Sequence, residues 1–598
     1  MAIDLVPQAR ERPRMLAPRW RFRPFDRGPI EELARESGLP PLLAHLLWNR
    51  GIRDAITASE FLEAKMKGLH DPESLPGIVE AADRIVAAVR ANRKVVIYGD
   101  YDVDGVCGTS ILWHCLKLAG ATNVEYYIPH RVEEGYGVSA DALRKLAAEG
   151  AELVVTVDCG ISAVAEAELA RELGLEFIVT DHHTIGDRLP EAAALVHPKL
   201  IGSQYPFPEL CGCGVAFKLA WQMAKTFGDG KKASPHMRGF LINAMGMVAM
   251  ATVADMVPLF GENRVLVKHG LDGLNRAPSA GLQALIEVSG LKDKLKITSG
   301  HVGFTLGPRI NAAGRLERAM HAVEMLTTDD AARAMVLARG LDECNVRRRE
   351  VEARMVAEAR SMLDELGGMD ERRGIVLARE GWHPGVIGIV AGRIAEMFHR
   401  PTVIIALDGE RGQGSARSIP GFNLYDALKA CGDVLSAFGG HSAAAGVRLP
   451  AASLPQFTEL FDRHCRDAIM PEALVKELSI DAEIELAMLT IRVAEQIEAL
   501  EPHGIGNLRP ILATSGVRLV GDPKTMTEGK HIKLRVAHGT ATVEAVGWNM
   551  GERYKHLKAG MLVDLAYHPA INEWNGRRTI QLEIKDIRLL EGAAEAEH

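Results

Sequence analysis

Leu175-Glu-Phe-Ile-Val-Thr-Asp-His-His183 is a mostly apolar run that stops at a carboxylate followed by two imidazoles. Two earlier segments end in the same way. Lys94-Val-Val-Ile-Tyr98 runs into Gly99-Asp-Tyr-Asp-Val-Asp-Gly105, and Glu152-Leu-Val-Val-Thr-Val157 runs into Asp158-Cys-Gly160. Short β-branched runs read as buried strands, and each is followed by a helix-like stretch. Strands alternating with helices form a parallel sheet with right-handed crossovers, and ligands bind beyond the carboxyl ends of such strands. The carboxylates should therefore converge on one edge. An Asp and His set with few cysteines suits hard divalent cations, imidazole favouring Mn²⁺ over Mg²⁺.

One Asp after a strand is as often a helix N-cap as a ligand. Three such sites, one holding Asp102 and Asp104 two apart on a face of an extended segment, favour the metal reading. Asp100 points the other way if that segment stays extended, and is read as supporting. A fourth acid lies in Met245-Gly-Met-Val-Ala-Met-Ala-Thr-Val-Ala-Asp-Met-Val-Pro-Leu259. This stretch is apolar on every side and reads as a buried helix, in which an ionised Asp255 needs a cation. Asp104, Asp158, His182 and Asp255 can share one metal, and Asp102 with Asp158 a second. Two ions about 3.5–4 Å apart clamp the attacking and leaving oxygens of an in-line phosphoryl displacement.

The set GDYDVDG, VDCG, DHH and VADMVPL resembles the four motifs of the DHH phosphoesterases. Tyr126-Tyr-Ile-Pro-His-Arg131 with Glu134-Gly-Tyr-Gly137, His301-Val-Gly-Phe304 with Gly307-Pro-Arg-Ile-Asn-Ala-Ala-Gly-Arg315, and Gly439-Gly-His-Ser-Ala-Ala-Ala-Gly446 narrow this to the RecJ family of single-strand-specific 5′→3′ exonucleases. The resemblance runs from about residue 75 to the last strands, with the motifs in the family's order. It implies hydrolysis of the phosphodiester after the 5′-terminal nucleotide, with two Mn²⁺ or Mg²⁺ ions. Asp102, Asp104, Asp158, His182 and Asp255 would be the ligands, and His183, Asp158 and Asp100 the catalytic groups. It also implies action in recombination and repair, with single-strand-binding protein and a helicase as partners.

The expected architecture is α/β: a parallel-sheet DHH domain, a long helix, a DHH-associated α/β domain and a C-terminal β-barrel of the OB type. The boundaries read as follows: 1–90, arm and helical lead-in; 91–325, catalytic domain; 326–373, connecting helix; 374–472, DHH-associated domain; 473–590, OB-fold; 591–598, frayed tail. At 598 residues the chain exceeds one core. In the resembled family the long helix, opened here by Thr327-Thr-Asp-Asp330, joins two halves that face each other across a groove.

Arginines concentrate at the N-terminus, Arg10 to Arg27, but Pro13, Pro18 and Pro24 spoil the amphipathic helix of a transit peptide. The eight cysteines lack paired spacing, and no apolar run looks long enough to span a membrane. A monomer in a reducing bacterial cytoplasm, near the nucleoid, is expected. The net charge of −8 argues mildly against nucleic acid, but an Asp-rich metal site contributes to it. Cys211-Gly-Cys-Gly lacks Walker spacing and reads as a Gly-rich helix start.

Substrate contacts are expected from arginines and glycine-rich turns. Arg131 can pair bidentately with a terminal 5′-phosphate while Tyr136 stacks on the terminal base. Arg309 and Arg315 can hold backbone phosphates. In the DHH-associated segment, Arg417, Ser418, Gly439, Gly440 and His441 can cradle another. On the barrel, Trp548, Tyr567 and Trp574 with Lys524, Lys530, Lys533 and Arg535 can bind a single strand by stacking beside basic groups. Two rivals remain: a DHH phosphodiesterase for short oligonucleotides or cyclic dinucleotides, and a catalytically dead scaffold.

Overall fold

The computed structural model describes residues 17–131, 133–276, 279–366, 372–574 and 576–590, with the side chain of Trp574 also outside the description. Arg10, Arg12 and Arg14 of the N-terminal arm, and the tail after 590, lie outside the described residues. The chain divides into two compact units, Arg21–Asp342 with Ser479–His598, and Glu343–Leu478 with Met1–Trp20.

In the first unit the apolar runs are strands β1 (Val95–Gly99), β2 (Val124–Tyr127), β3 (Leu153–Val157), β4 (Glu176–Thr180) and β5 (Ala194–Val196). They form one sheet in the order β2-β1-β3-β4-β5, every pair parallel. Val95, Ile97, Leu153, Val155 and Ile178 pack into one core, and Val96, Tyr98, Val154, Phe177 and Val179 into another on the opposite face. Burial on both faces is why these strands read as continuous apolar runs without alternation. The chain leaves β1 for β2 on one side and returns to β3 on the other, so the carboxyl ends of β1 and β3 form the switch point where α/β sheets bind ligands.

Two helices, α1 (Val103–Leu118) and α2 (Gly212–Phe227), lie on one face of the sheet, and α3 (Pro235–Ala254) packs on both of them. By length and hydropathy α3 could cross a membrane, which the sequence reading did not single out. It is a core helix, with Met245, Val248, Ala249, Met250 and Ala251 buried against α1, α2 and α4 (Gly261–Arg276). Contrary to expectation, Asp255 is not inside it. The helix ends at Ala254, and Asp255 is its C-cap with a side chain 22% exposed. Further along, α5 (Gly307–Leu316) carries the GPRINAAGR segment.

A 35-residue helix, α6 (Ala331–Glu365), carries the chain from one unit into the other, opened by Asp330, whose carboxylate accepts the amides of Ala332 and Arg333. The second unit holds β6 (Ile375–Glu380), α7 (Ile387–Phe398), β7 (Thr402–Asp408), β8 (Arg411–Arg417), β9 (Ala437–Gly440) and β10 (Ala444–Pro450). These strands form a mixed sheet in the order β9-β10-β8-β7-β6.

The C-terminal strands are β11 (Ala482–Glu483), β12 (Leu512–Leu519), β13 (Lys524–Met526), β14 (His531–His538), β15 (Ala541–Gly547), β16 (Leu562–Trp574) and β17 (Arg577–Leu589). Their order is β11-β12-β16-β17-β15-β14-β13, and an added β12–β14 pairing closes a five-strand ring. The N-terminal helices join this barrel: Ile30, Leu33, Leu43, Leu46 and Leu47 share a core with Leu512, Val536, Leu565 and Ile584. The helical periodicity before β1 gave no hint of that partner. Tyr567, expected on a binding face, is wholly buried inside the ring and bonds Thr514 at 2.8 Å.

Candidate metal centre

The sheet ladder runs one residue past each strand. The amide of Asp100 donates to Val157 at 3.2 Å, that of Asp158 to Thr180 at 3.0 Å, and that of Asp181 to Val196 at 3.1 Å. Backbone register thus lines up three carboxylates along one edge. Asp158 pays for its place with a left-handed backbone, φ +64°, which a side-chain-bearing residue rarely adopts and which recurs at functional sites.

His182 sits at the centre. Its Nε2 is 3.2 Å from Asp158 Oδ1, 3.7 Å from Asp104 Oδ2 and 3.7 Å from Asp255 Oδ2. Three sets place ligand atoms within 4.8 Å of one another: Asp104, His182 and Asp255; Asp158, His182 and His183; Asp100, Asp102 and Asp158. Asp100 joins this grouping, contrary to the extended-strand argument, because the chain bends after β1 and enters α1 at Val103. Asp102 is the N-cap of α1, Oδ1 accepting the amides of Asp104 and Gly105, and the same side chain lies with those of Asp100 and Asp158.

The donor set fits divalent cations. Asp158 Oδ1, Asp100 Oδ1 and His182 Nε2 are buried without a hydrogen-bond partner among the described residues, and such atoms are costly to leave unpaired. Burial first, and then the neighbouring carboxylates, hold Asp158 and Asp100 well above the usual carboxylate range. The same causes push Asp255 up to about 9, its charged neighbours being Asp104 and Asp102. Burial takes His182 down to about 4, leaving the neutral imidazole that ligates metals. A site crowded with anions and holding a neutral His suits a multiply charged cation.

A supporting layer fixes these groups. Asp104 accepts the amides of Gly212 at 2.7 Å and Cys213 at 2.8 Å, buried N–H groups at the start of α2 that have no acceptor within the helix. The Gly-rich helix start at Cys211 is thus part of the site, a role its sequence did not announce. Asp181, the carboxylate that opens the Asp-His-His run and had no role of its own assigned from sequence, accepts the amides of Ile161, His182 and His183 and the His183 ring at 2.8 Å. Burial opposes its charge, but these bonds bring Asp181 down to about 2. His183 is likewise opposed by burial, yet the Asp181 bond raises its pKa. The fully buried His197 bonds the His183 carbonyl through Nε2 at 2.8 Å.

Tyr136 comes to this edge too. Its ring is 54% exposed, while its hydroxyl lies 3.1 Å from His183 Nδ1 and donates to the Asp158 carbonyl at 3.3 Å. The Arg131 guanidinium lies 4.8 Å over the Tyr101 ring, and its charge partly offsets the burial and the Asp102 charge that raise the pKa of Asp100. The acids that could have claimed it are engaged: Glu134 accepts Tyr127 and the His130 amide, and Glu133 faces the His130 ring. Arg315 faces the same Tyr101, where its charge slightly opposes the rise in pKa that burial causes. Arg309 instead pairs with Asp342 at 2.9 Å and donates to the Thr305 carbonyl.

In the second unit, Arg417 donates to Ser415 Oγ at 3.0 Å, a serine the sequence reading passed over. Ser418 Oγ donates to the Phe422 carbonyl at 2.7 Å, so its hydroxyl proton serves its own loop. Gly439 and Gly440 end β9, where a Cβ on Gly440 would meet the Ala444 oxygen at 2.4 Å, and His441 is exposed just beyond. On the barrel Trp548 is 53% exposed beside His531, Lys530 is exposed, and Lys533 pairs with Glu544 at 2.9 Å. Trp574's side chain lies outside the described residues.

An all-parallel sheet whose switch point gathers these Asp and His side chains defines a DHH-type phosphoesterase. The DHH family N-terminal domain matches residues 94–246, the DHHA1 domain 371–467 and the RecJ OB domain 480–586. The chain is 38% identical over 575 residues to the single-stranded-DNA-specific exonuclease RecJ of Bacillus subtilis, covering 96% of this chain and 71% of that one. It is 35% identical to the protein of the same name from Salmonella typhimurium, covering 92% and 96%. RecJ from Thermus thermophilus in complex with Mn²⁺ superimposes with a TM-score of 0.81 at 31% identity, covering 96% of this chain and 80% of that one. The chain belongs to the RecJ family.

Proposed function

We propose that this protein is a metal-dependent exonuclease that hydrolyses single-stranded DNA from the 5′ end and releases 5′-mononucleotides. The observation that carries the reading is the convergence of Asp104, Asp158 and Asp255 on His182 Nε2, with buried ligand atoms left unpartnered. Relatives named as single-stranded-DNA-specific exonucleases, one of them solved with Mn²⁺, support it.

Asp102, Asp104, Asp158, His182 and Asp255 would hold two divalent cations, Mn²⁺ or Mg²⁺, which supply Lewis acidity and charge neutralisation at the scissile phosphate. The remaining chemistry belongs to the chain. Amides of α2 aim Asp104, and Asp181 fixes the His183 ring, which can then donate to the scissile phosphate or orient the attacking water. Asp100 adds charge behind the site. Arg131 would anchor the 5′-phosphate. Tyr136, bonded to His183, holds that ring as well as bordering the terminal base. Arg315 beside Tyr101 would take a neighbouring phosphate; Arg309, paired with Asp342, needs that pair broken to do so.

Arg417 with the Gly439–His441 turn would bind phosphate further along the strand, and Trp548, Trp574, Lys530 and Lys533 its distal part. We place the protein in the bacterial cytoplasm, as a monomer near the nucleoid acting in recombination and repair with single-strand-binding protein and a helicase. Product analysis on 5′- and 3′-labelled single-stranded and duplex DNA with Mn²⁺ or Mg²⁺ tests the core of this. Mononucleotides released first from the 5′ end of single strands are expected. Preferential cleavage of a dinucleotide over a long strand would favour the short-substrate phosphodiesterase instead.

A further inference from the structure

Phe304 is the most exposed large aromatic side chain among the described residues, 88% open to solvent. It is held in a five-residue π-helical turn, Val302–Leu306, whose end residues are completely buried. The backbone beneath it is therefore anchored in the core while the ring stands out. Single π turns are rare in proteins and gather at functional sites.

The turn lies against the end of α3 that delivers Asp255. A Cβ on Gly303 would stand 3.7 Å from Val253 Cγ1, and one on Gly307 3.6 Å from Ala254 Cβ. Met256, immediately after the ligand, is 64% exposed. On the far side, both segments are tied to one loop of the barrel region: Ser299 Oγ donates to the His503 carbonyl at 2.6 Å, and the Leu259 amide to Ile505 at 2.7 Å. An exposed aromatic ring thus stands on a turn that is anchored in the core, packed against the helix end that carries Asp255 and tied through Ser299 to the loop at residues 503–505.

We infer that Phe304 is a stacking platform for an unpaired base of the strand whose end lies in the carboxylate cluster. The inference rests on the nuclease reading and deepens it. The residues of the turn itself, Val302-Gly-Phe-Thr-Leu306, carry no cation to hold phosphate, so what this position offers a strand is a face for a base. Every base has such a face, so stacking is tolerant of sequence. Duplex bases are already stacked on their neighbours, so the platform adds to the preference for single strands.

The test compares kcat/KM on a 5′-phosphorylated 12-mer with that on a 5′-phosphorylated dinucleotide, too short to reach the platform, using the full chain with Mn²⁺. Phe304→Ala should lower the 12-mer to dinucleotide ratio by about tenfold, and Phe304→Trp should restore it. With EDTA present to keep the strand intact, 2-aminopurine in the 12-mer should be quenched at one or two positions by the wild type and not by Phe304→Ala. An unchanged ratio, or equal losses on both substrates, overturns the platform while leaving the nuclease reading standing; the latter would mark Phe304 as structural, and the former would leave its ring for another macromolecule. A wild-type protein that cuts neither substrate overturns both.

Discussion

The Asp104 carboxylate is bound by the amide of Gly212, 2.7 Å away across 108 residues of sequence. Two requirements meet at that glycine. Its amide must reach Asp104, and its Cα must lie so near the neighbouring ligand that an added Cβ would stand 2.5 Å from Asp158 Oδ1.

Gly212→Ala should therefore displace Asp158 or lift the α2 start from Asp104. Affinity for Mn²⁺, measured by calorimetry, is expected to fall about 10–100-fold, as for other residues that orient metal ligands. Circular dichroism should show the fold retained. Wild-type affinity in this variant would show that neither contact orients the ligands.

Replacing Asp158 tests the cluster itself. Asp158→Ala should abolish turnover, and ordinary activity would sink the two-metal assignment. Asp158→Asn keeps the shape while removing one of several charges crowded into a buried space. Without metal it should melt no lower than the wild type, since the repulsion around it is relieved. With Mn²⁺ at a hundredfold excess over its Kd the wild type should gain about 2.7 kcal/mol for each ion bound, and Asp158→Asn much less. Equal gains in both proteins, followed by differential scanning, would place the metal elsewhere.

Much of this centre was legible because parallel strands buried on both faces write themselves as apolar runs, and their carboxyl ends must share an edge. Asp158 and His182 were placed together by that argument and Asp104 by its spacing from Asp102, whereas Asp255 came from the separate apolar stretch before it. Asp100 was set opposite its neighbours on the premise of an extended segment, and the chain instead turns after β1 into α1 behind its Asp102 cap. Gly212 was invisible as a site residue because its contribution is a backbone amide brought to Asp104 across 108 residues, a meeting of segments that no local pattern shows. Tyr567 shows the opposite error. An aromatic in a β segment looks the same whether it lines the barrel or faces solvent, and here Thr514 bonds its hydroxyl inside.

Acid should weaken the unit that contains the barrel. His568 is buried, its Nδ1 donating to the Pro510 carbonyl at 2.7 Å, and burial lowers its pKa to about 3. The neutral ring is the one the folded state favours. As pH falls through the unfolded value near 6.5, the unfolded chain takes up a proton that the folded chain refuses until about pH 3. Stability is thus full above that upper value and lost progressively below it. By pH 5 the loss from this group should reach about 2 kcal/mol. Urea unfolding at pH 7.5 and 5 should show His568→Gln losing about that much less than the wild type between the two conditions; an identical loss would remove His568 as a cause.

The 5′ end offers the sharpest test of polarity. Arg131 lies over Tyr101, near enough to Asp100 for its charge to be felt there, and the Glu133 and Glu134 carboxylates have other partners. A guanidinium in that place can pair with a terminal phosphate one nucleotide beyond the scissile bond. Arg131→Ala should then lower kcat/KM on 5′-phosphorylated strands by about 10–100-fold, the worth of a charge-assisted contact. Strands ending in a 5′-hydroxyl have no such contact to lose and should fall far less. Equal losses on the two substrates would reject the end-anchor role, because a guanidinium that only shapes the pocket through Tyr101 would affect both alike.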